Sequence, residues 1–118
     1  MKSLALALLA ALALPVAADT TVPCPKPIKI GMSYHLARAR LIQAGYLPDF
    51  STYPPTMPLS ERPSVGSSFI HLGYYEQKDY SNNGNAYMLW TTGKQNLEVT
   101  IHSFEEPETA AVVRCSIP

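Results

Sequence analysis

The chain has 118 residues, with nine Lys and Arg against nine Asp and Glu, 11 prolines and two cysteines. A near-neutral chain without a basic stripe argues against nucleic acid as a partner, and no polybasic run addresses an anionic membrane surface. The length suits one domain with a single modest core.

Met1 to Ala18 reads as a secretory signal peptide. Lys2 supplies the charged start, Leu4 to Leu14 the apolar stretch and Val16-Ala17-Ala18 the small-residue cleavage site. The apolar stretch is too short to span a bilayer. The expected mature chain, Asp19 to Pro118, is a secreted or periplasmic domain with no membrane insertion after cleavage. Cys24 and Cys115 sit near its two ends, and in an oxidising compartment they are expected to pair.

Pro23, Pro25 and Pro27 punctuate a lead-in, after which Ile28 and Ile30 flank Lys29 in the alternation of a short strand. The next stretch, Gly31 to Pro48, carries start, period and stop signals for a helix over Ser33 to Ala44. Ser33 is a suitable N-cap, Tyr34, Ala37, Leu41 and Ala44 recur on one face, and Gly45 can adopt the left-handed conformation of a Schellman cap that folds Tyr46 back on Leu41. Leu47 to Ser68 holds five further prolines, which remove backbone donors, so it reads as an irregular excursion and a candidate contact surface.

From Phe69 the pattern is β. Phe69 to Tyr75 is aromatic and β-branched, Asn82-Asn83-Gly84-Asn85 is a turn, and Ala86 to Thr91 returns as the next strand. Thr92 to Gln95 makes a second turn before Leu97, Val99 and Ile101 alternate with Glu98, Thr100 and His102. Glu105-Glu106-Pro107-Glu108 breaks that strand, and Ala111, Val113, Cys115 and Ile117 line the inner face of the last. Short turns imply an antiparallel meander, and the one amphipathic helix must cover it. The expected fold is therefore α+β, one helix packed on a three- to five-stranded mainly antiparallel sheet.

The segment Gly31-Met32-Ser33-Tyr34-(x2)-Ala37-Arg38-(x2)-Leu41-Ile42-(x2)-Gly45-Tyr46-(x)-Pro48 resembles the helix of PASTA domains, small extracellular modules of penicillin-binding proteins and Ser/Thr kinases. Joined to a hairpin like Trp90-(x2)-Gly93-(x3)-Leu97-(x)-Val99, it looks more like small secreted bacterial proteins of unassigned function. The PASTA resemblance would carry over peptidoglycan or muropeptide binding and supplies no catalytic residue, while the single module, the long proline loop and the end-to-end cysteines depart from that family's pattern.

Catalytic chemistry has little to stand on. There is no GxSxG elbow and no SxxK. His35, His71 and His102 are isolated in sequence, and a metal site would need ligands beyond them, so no metal and no cofactor is expected. Glu76, Asp79 and Glu98 are the carboxylates nearest the strands and are expected on a solvated rim. The aromatic set Tyr74, Tyr75, Tyr80, Tyr87 and Trp90 clusters around one hairpin, where rings exposed away from the helix could stack on sugars or fill a partner's pocket. The function expected is a non-enzymatic binding module for a protein or cell-wall glycan. The alternatives are an inhibitor of a secreted lysozyme or protease and a small envelope hydrolase or metal protein.

Overall fold

The computed structural model describes residues 20–52, 54–61, 68–81, 83–102 and 107–118. The leader expected over Met1 to Ala18 therefore lies outside the described residues, as do 62–67 of the proline-rich stretch, Asn82, and the acidic pair Glu105 and Glu106. Among the described residues the order is β1 (Thr20–Val22), α1 (Tyr34–Gln43), β2 (Leu47–Pro48), a 3-10 turn at Leu59–Glu61, the one-turn α2 (Ser68–His71), β3 (Gln77–Tyr80), β4 (Asn85–Thr91), β5 (Asn96–His102), a second 3-10 turn at Pro107–Thr109, and β6 (Ala111–Ile117).

The strands form one antiparallel sheet in the order β1-β6-β5-β4-β2, with β3 also on β4. This is the expected α+β arrangement, with α1 laid on a meander running β3 to β6. The sheet has six strands rather than three to five because β1 and β2 are three and two residues long. Segments that short cannot display a period-2 pattern.

Tyr34, Ala37 and Leu41 point from α1 into a core with Met88, Trp90, Val99, Ile101 and Val112. The start of α1 is held differently from expectation. Ser33 precedes the helix but its hydroxyl makes no capping bond. Instead the Tyr34 amide donates to the Ala110 carbonyl, and Gly31 and Val112 exchange amides with Val112 and Met32 carbonyls. Residues 31–33 thus run as a ribbon along the start of β6, which supplies the acceptor a cap would have offered. The strand expected at Ile28 to Ile30 is absent for the same reason. Pairing begins at residue 31, and 28–30 joins two turns, one closed by the Ile28 amide on the Pro25 carbonyl and one by the Met32 amide on the Lys29 carbonyl, which buries Ile28 and leaves Ile30 62% exposed.

The end of α1 follows expectation. The Tyr46 amide reaches the Leu41 carbonyl at 3.0 Å and the Gly45 amide the Ile42 carbonyl at 3.1 Å, with Gly45 at φ 93°, the two bonds of a Schellman motif. Ala44 is the capping residue and is exposed, so it does not belong to the buried face; Tyr46 packs against the core in its place.

The strand expected over Phe69 to Tyr75 is instead α2 and its cap. The Tyr74 amide donates to the Phe69 carbonyl and the Gly73 amide to the Ile70 carbonyl, both at 2.9 Å, with Gly73 at φ 88°. Leu72-Gly73-Tyr74 repeats the device of Ala44-Gly45-Tyr46. It buries Phe69 and Ile70 without a strand.

Leu97, Val99 and Ile101 face α1 as expected, and β4 alternates in step through Ala86, Met88 and Trp90. In β6 the expected phase slips. The register steps from Thr100↔Arg114 to Ile101↔Val112, so Val113 is the extra residue of a bulge and is 41% exposed. Val112 and Cys115 are the inward residues, and Ala111 and Ile117 are not buried.

Cys24 and Cys115 are joined, with sulfurs 2.04 Å and Cα atoms 5.1 Å apart across a separation of 91 residues. The bridge ties the lead-in beyond β1 to the middle of β6. Replacing both cysteines by serine is expected to cost roughly 2–5 kcal/mol, the usual range for a native disulfide in a small domain, read as a lower urea midpoint with a steeper slope because the unfolded chain is no longer crosslinked. A Gly73→Ala variant meets no neighbour within 4 Å of the new Cβ, so its cost, about 1 kcal/mol, is the left-handed backbone alone and is measurable in the same unfolding curves.

Candidate functional site

The chemistry of this chain concentrates where α1, the turn after α2 and β4 meet. Tyr34 and Arg38, one helical turn apart, lie along one flank of α1. The Gly73 cap turns the chain so that Tyr74 and Glu76 face that flank. The Glu76 carbonyl then accepts from the Leu89 amide at 2.9 Å, anchoring the turn to β4.

Glu76 is completely buried. Its Oε2 accepts from the Tyr34 hydroxyl and from Arg38 Nε, both at 2.7 Å, and its Oε1 accepts from Arg38 Nη2 at 3.3 Å. Trp90 Nε1 donates to the Tyr34 oxygen at 3.2 Å, so the phenol is at once donor and acceptor. A carboxylate in an apolar interior is tolerated only when its charge is matched and its oxygens are bonded. Here the match is the Arg38 guanidinium, whose side chain keeps 20% exposure.

Arg38 also lies over the Tyr74 ring, its guanidinium carbon 4.1 Å from the centroid. Phe69 stacks on Tyr74 at 6.0 Å, Tyr34 meets it edge-on, and the Tyr74 hydroxyl shares a 2.7 Å hydrogen bond with His35 Nδ1. The result is a chain of contacts from the buried Trp90 indole to the half-buried His35. Burial raises the Tyr34 pKa well above the ordinary phenol value, and the neighbouring Glu76 charge adds to the rise. For Arg38, burial works against the charge, but the hydrogen bond and attraction of Glu76 outweigh it and the net shift is upward.

A second charged pair lies on the opposite face of the sheet. Glu98 is buried and accepts from Lys78 Nζ at 2.9 Å and from Ser116 Oγ at 3.3 Å, and Thr100 beside it is buried as well. The expectation that Glu76 and Glu98 sit on a solvated rim is thus corrected, and only Asp79 of the three is exposed. The meander hid this because alternation marks Glu98 and Thr100 as outward-pointing, which in this sheet is not the same as solvated.

The five aromatic residues singled out do not share one surface. Trp90 is wholly buried in the core, a correction to its place in a contact surface, because its register with Leu97 aims it at α1. Tyr74 and Tyr80 are half-buried and packed against the core. Tyr75 is half-buried with its ring edge-on to Phe50 at 6.0 Å, and Tyr87 is half-buried on the face away from α1, in register with Asp79 and Thr100. Among the described residues no three His, Cys, Asp or Glu side chains converge as metal ligands. His35 is engaged with Tyr74 and His102 with Asn85, while the His71 side chain lies outside the described part.

The residues missed from sequence are Tyr34, Arg38 and Glu76 as a unit. The available signal was weak: a Tyr and an Arg four apart on a helix flank, and an acid closing the aromatic run FIHLGYYE. No known protein family, no curated protein and no solved structure matches the chain.

Glu76→Gln leaves a half-buried guanidinium without its counter-charge and is expected to cost about 3 kcal/mol by chemical unfolding. Tyr34→Phe is expected to cost about 1–2 kcal/mol, by removing two buried hydrogen bonds. Because folding raises the Tyr34 pKa above its unfolded value of 10.0, its contribution is complete below that pH and is lost as pH climbs past it. Thermal melts from pH 7 to 11 should show the parent weakening above pH 10 and a smaller alkaline loss in Tyr34→Phe.

Proposed function

We propose that this chain is a non-enzymatic secreted or periplasmic binding module that contacts a protein or cell-wall glycan through its half-buried tyrosines, chiefly Tyr75 and Tyr87, with Trp90 as buried support. The observation that carries this reading is the fixed aromatic pair at 74–75. Tyr74 is held by Arg38, Phe69, Tyr34 and His35, and Tyr75 is set against Phe50. Rings already immobilised by folding lose little further entropy when a partner covers them, which is what makes tyrosine effective in binding surfaces.

The charged groups support binding over catalysis. Glu76 has both oxygens engaged by the chain's own donors and none of its surface open, so it is arranged to hold α1 rather than to move a proton at a substrate. The Cys24–Cys115 disulfide fits an oxidising compartment, and among the described residues no helix is long and apolar enough to cross a membrane.

The test is retention of the disulfide-intact protein on insoluble cell-wall glycan and capture of envelope proteins on immobilised protein. Tyr75→Ala and Tyr87→Ala are expected to weaken the retained interaction about tenfold each, corresponding to about 1.4 kcal/mol, measured where unfolding curves show each variant fully folded. Variants that bind like the parent remove the tyrosine surface from consideration.

A further inference from the structure

Between residues 20 and 48 the sequence holds Lys26, Lys29, Arg38 and Arg40 and not one Asp or Glu. Arg38 is consumed by Glu76 on one flank of α1. Arg40, two residues on, lies on the other flank, against the turn at Pro25 to Ile28. The fold thereby brings together cations that are scattered in sequence and that no basic run announces.

Lys26, Pro27, Arg40, Gln43 and Ala44 line an open cleft of about 410 Å³. Neither Lys26 nor Arg40 forms an ion pair among the described residues, and Lys29 at the adjoining turn is exposed and likewise unpaired there. Arg40 borders the cleft and reaches the turn, its Nη1 donating to the Pro27 carbonyl at 3.3 Å, and a guanidinium has further N–H donors beyond that one. Gln43 stands three residues further along the helix and adds an amide.

Both walls are stiff. The turn is closed by the Ile28 amide on the Pro25 carbonyl, pinned by the buried Ile28 side chain and tethered by the disulfide at Cys24. The opposite wall is the last turn of α1, whose terminal carbonyls at Leu41 and Ile42 are already taken by the Schellman bonds. The helix end at Gln43 and Ala44 is still the negative pole of α1, so an anion is held there only where the Lys26 and Arg40 charges outweigh it.

We infer that this cleft is a binding site for a phosphate group, held by the Arg40 guanidinium, the Lys26 ammonium and the Gln43 amide. A guanidinium and an ammonium on residues that border one space suit a tetrahedral oxyanion carrying more than one negative charge better than a single carboxylate. The site is on the other flank of α1 from Tyr74 and Tyr75 and does not depend on the tyrosine surface.

The experiment is titration of the isotopically labelled, disulfide-intact protein with inorganic phosphate, followed by amide shifts, with chloride at matched ionic strength as control. Saturable shifts confined to residues 26–29 and 40–44 are expected with phosphate and not with chloride. Lys26→Ala combined with Arg40→Ala should weaken binding at least tenfold at unchanged melting temperature, whereas Lys94→Ala combined with Arg114→Ala, two cations elsewhere on the surface, should leave it unchanged. A soluble polyphosphate and phosphatidylglycerol vesicles form the second arm. Binding to the vesicles alone assigns a lipid headgroup, and binding to the polymer assigns a phosphate outside a bilayer. Equal shifts with chloride, equal loss in both double variants, or no shift with phosphate would overturn the assignment.

Discussion

One negative charge in an apolar interior organises the helix side of this molecule. The Glu76 carboxylate has no water to lean on, so a cation and a hydroxyl must be brought to it, and both come from one turn of α1. That requirement fixes the rotation of the helix about its own axis more sharply than apolar packing, which tolerates small rotations at little cost. The Trp90 indole then finds its acceptor in the same phenol, so the largest side chain of the core is oriented by the group that orients the helix. Hydrophobic burial supplies most of the driving force, and the bonds to the carboxylate add directional contacts that apolar packing lacks.

The reading from sequence succeeded where one residue type has one physical meaning. Gly45 before Tyr46 and Pro48 could only stop a helix, and the alternation of Leu97, Val99 and Ile101 could only be a strand with a buried face. It failed where two meanings compete. Phe69-Ile70 reads as β by propensity, yet Leu72-Gly73-Tyr74 was available as a cap signal of the kind already recognised at Gly45, and the cap prevailed. The phase of β6 could not be read because a bulge at Val113 leaves no mark in composition. The network of Tyr34, Arg38 and Glu76 spans 42 residues of sequence, and no local pattern reports a contact of that range.

The candidate surface was legible only in part. Aromatic clustering around the hairpin is real in sequence, but register decides which rings are spent on the core. Trp90 pairs with Leu97 and is spent entirely, while Tyr87 falls on the other side of the same strand. Charge behaved in the same way. A net charge near zero conceals a sorting by fold, in which Arg38 and Arg40, two residues apart, serve opposite flanks of one helix. One answers a buried acid, and the other borders an open cleft.

The last strand carries along one of its edges two pieces of chain from the other end of the sequence, β1 against its finish and residues 31–33 against its beginning, with the sulfur bridge between them. Neither piece has anything to settle upon until β6 has been made. Both pairings join distant parts of the sequence, so closing them carries the entropy cost of a large loop. Contacts of such long sequence separation make for slow folding.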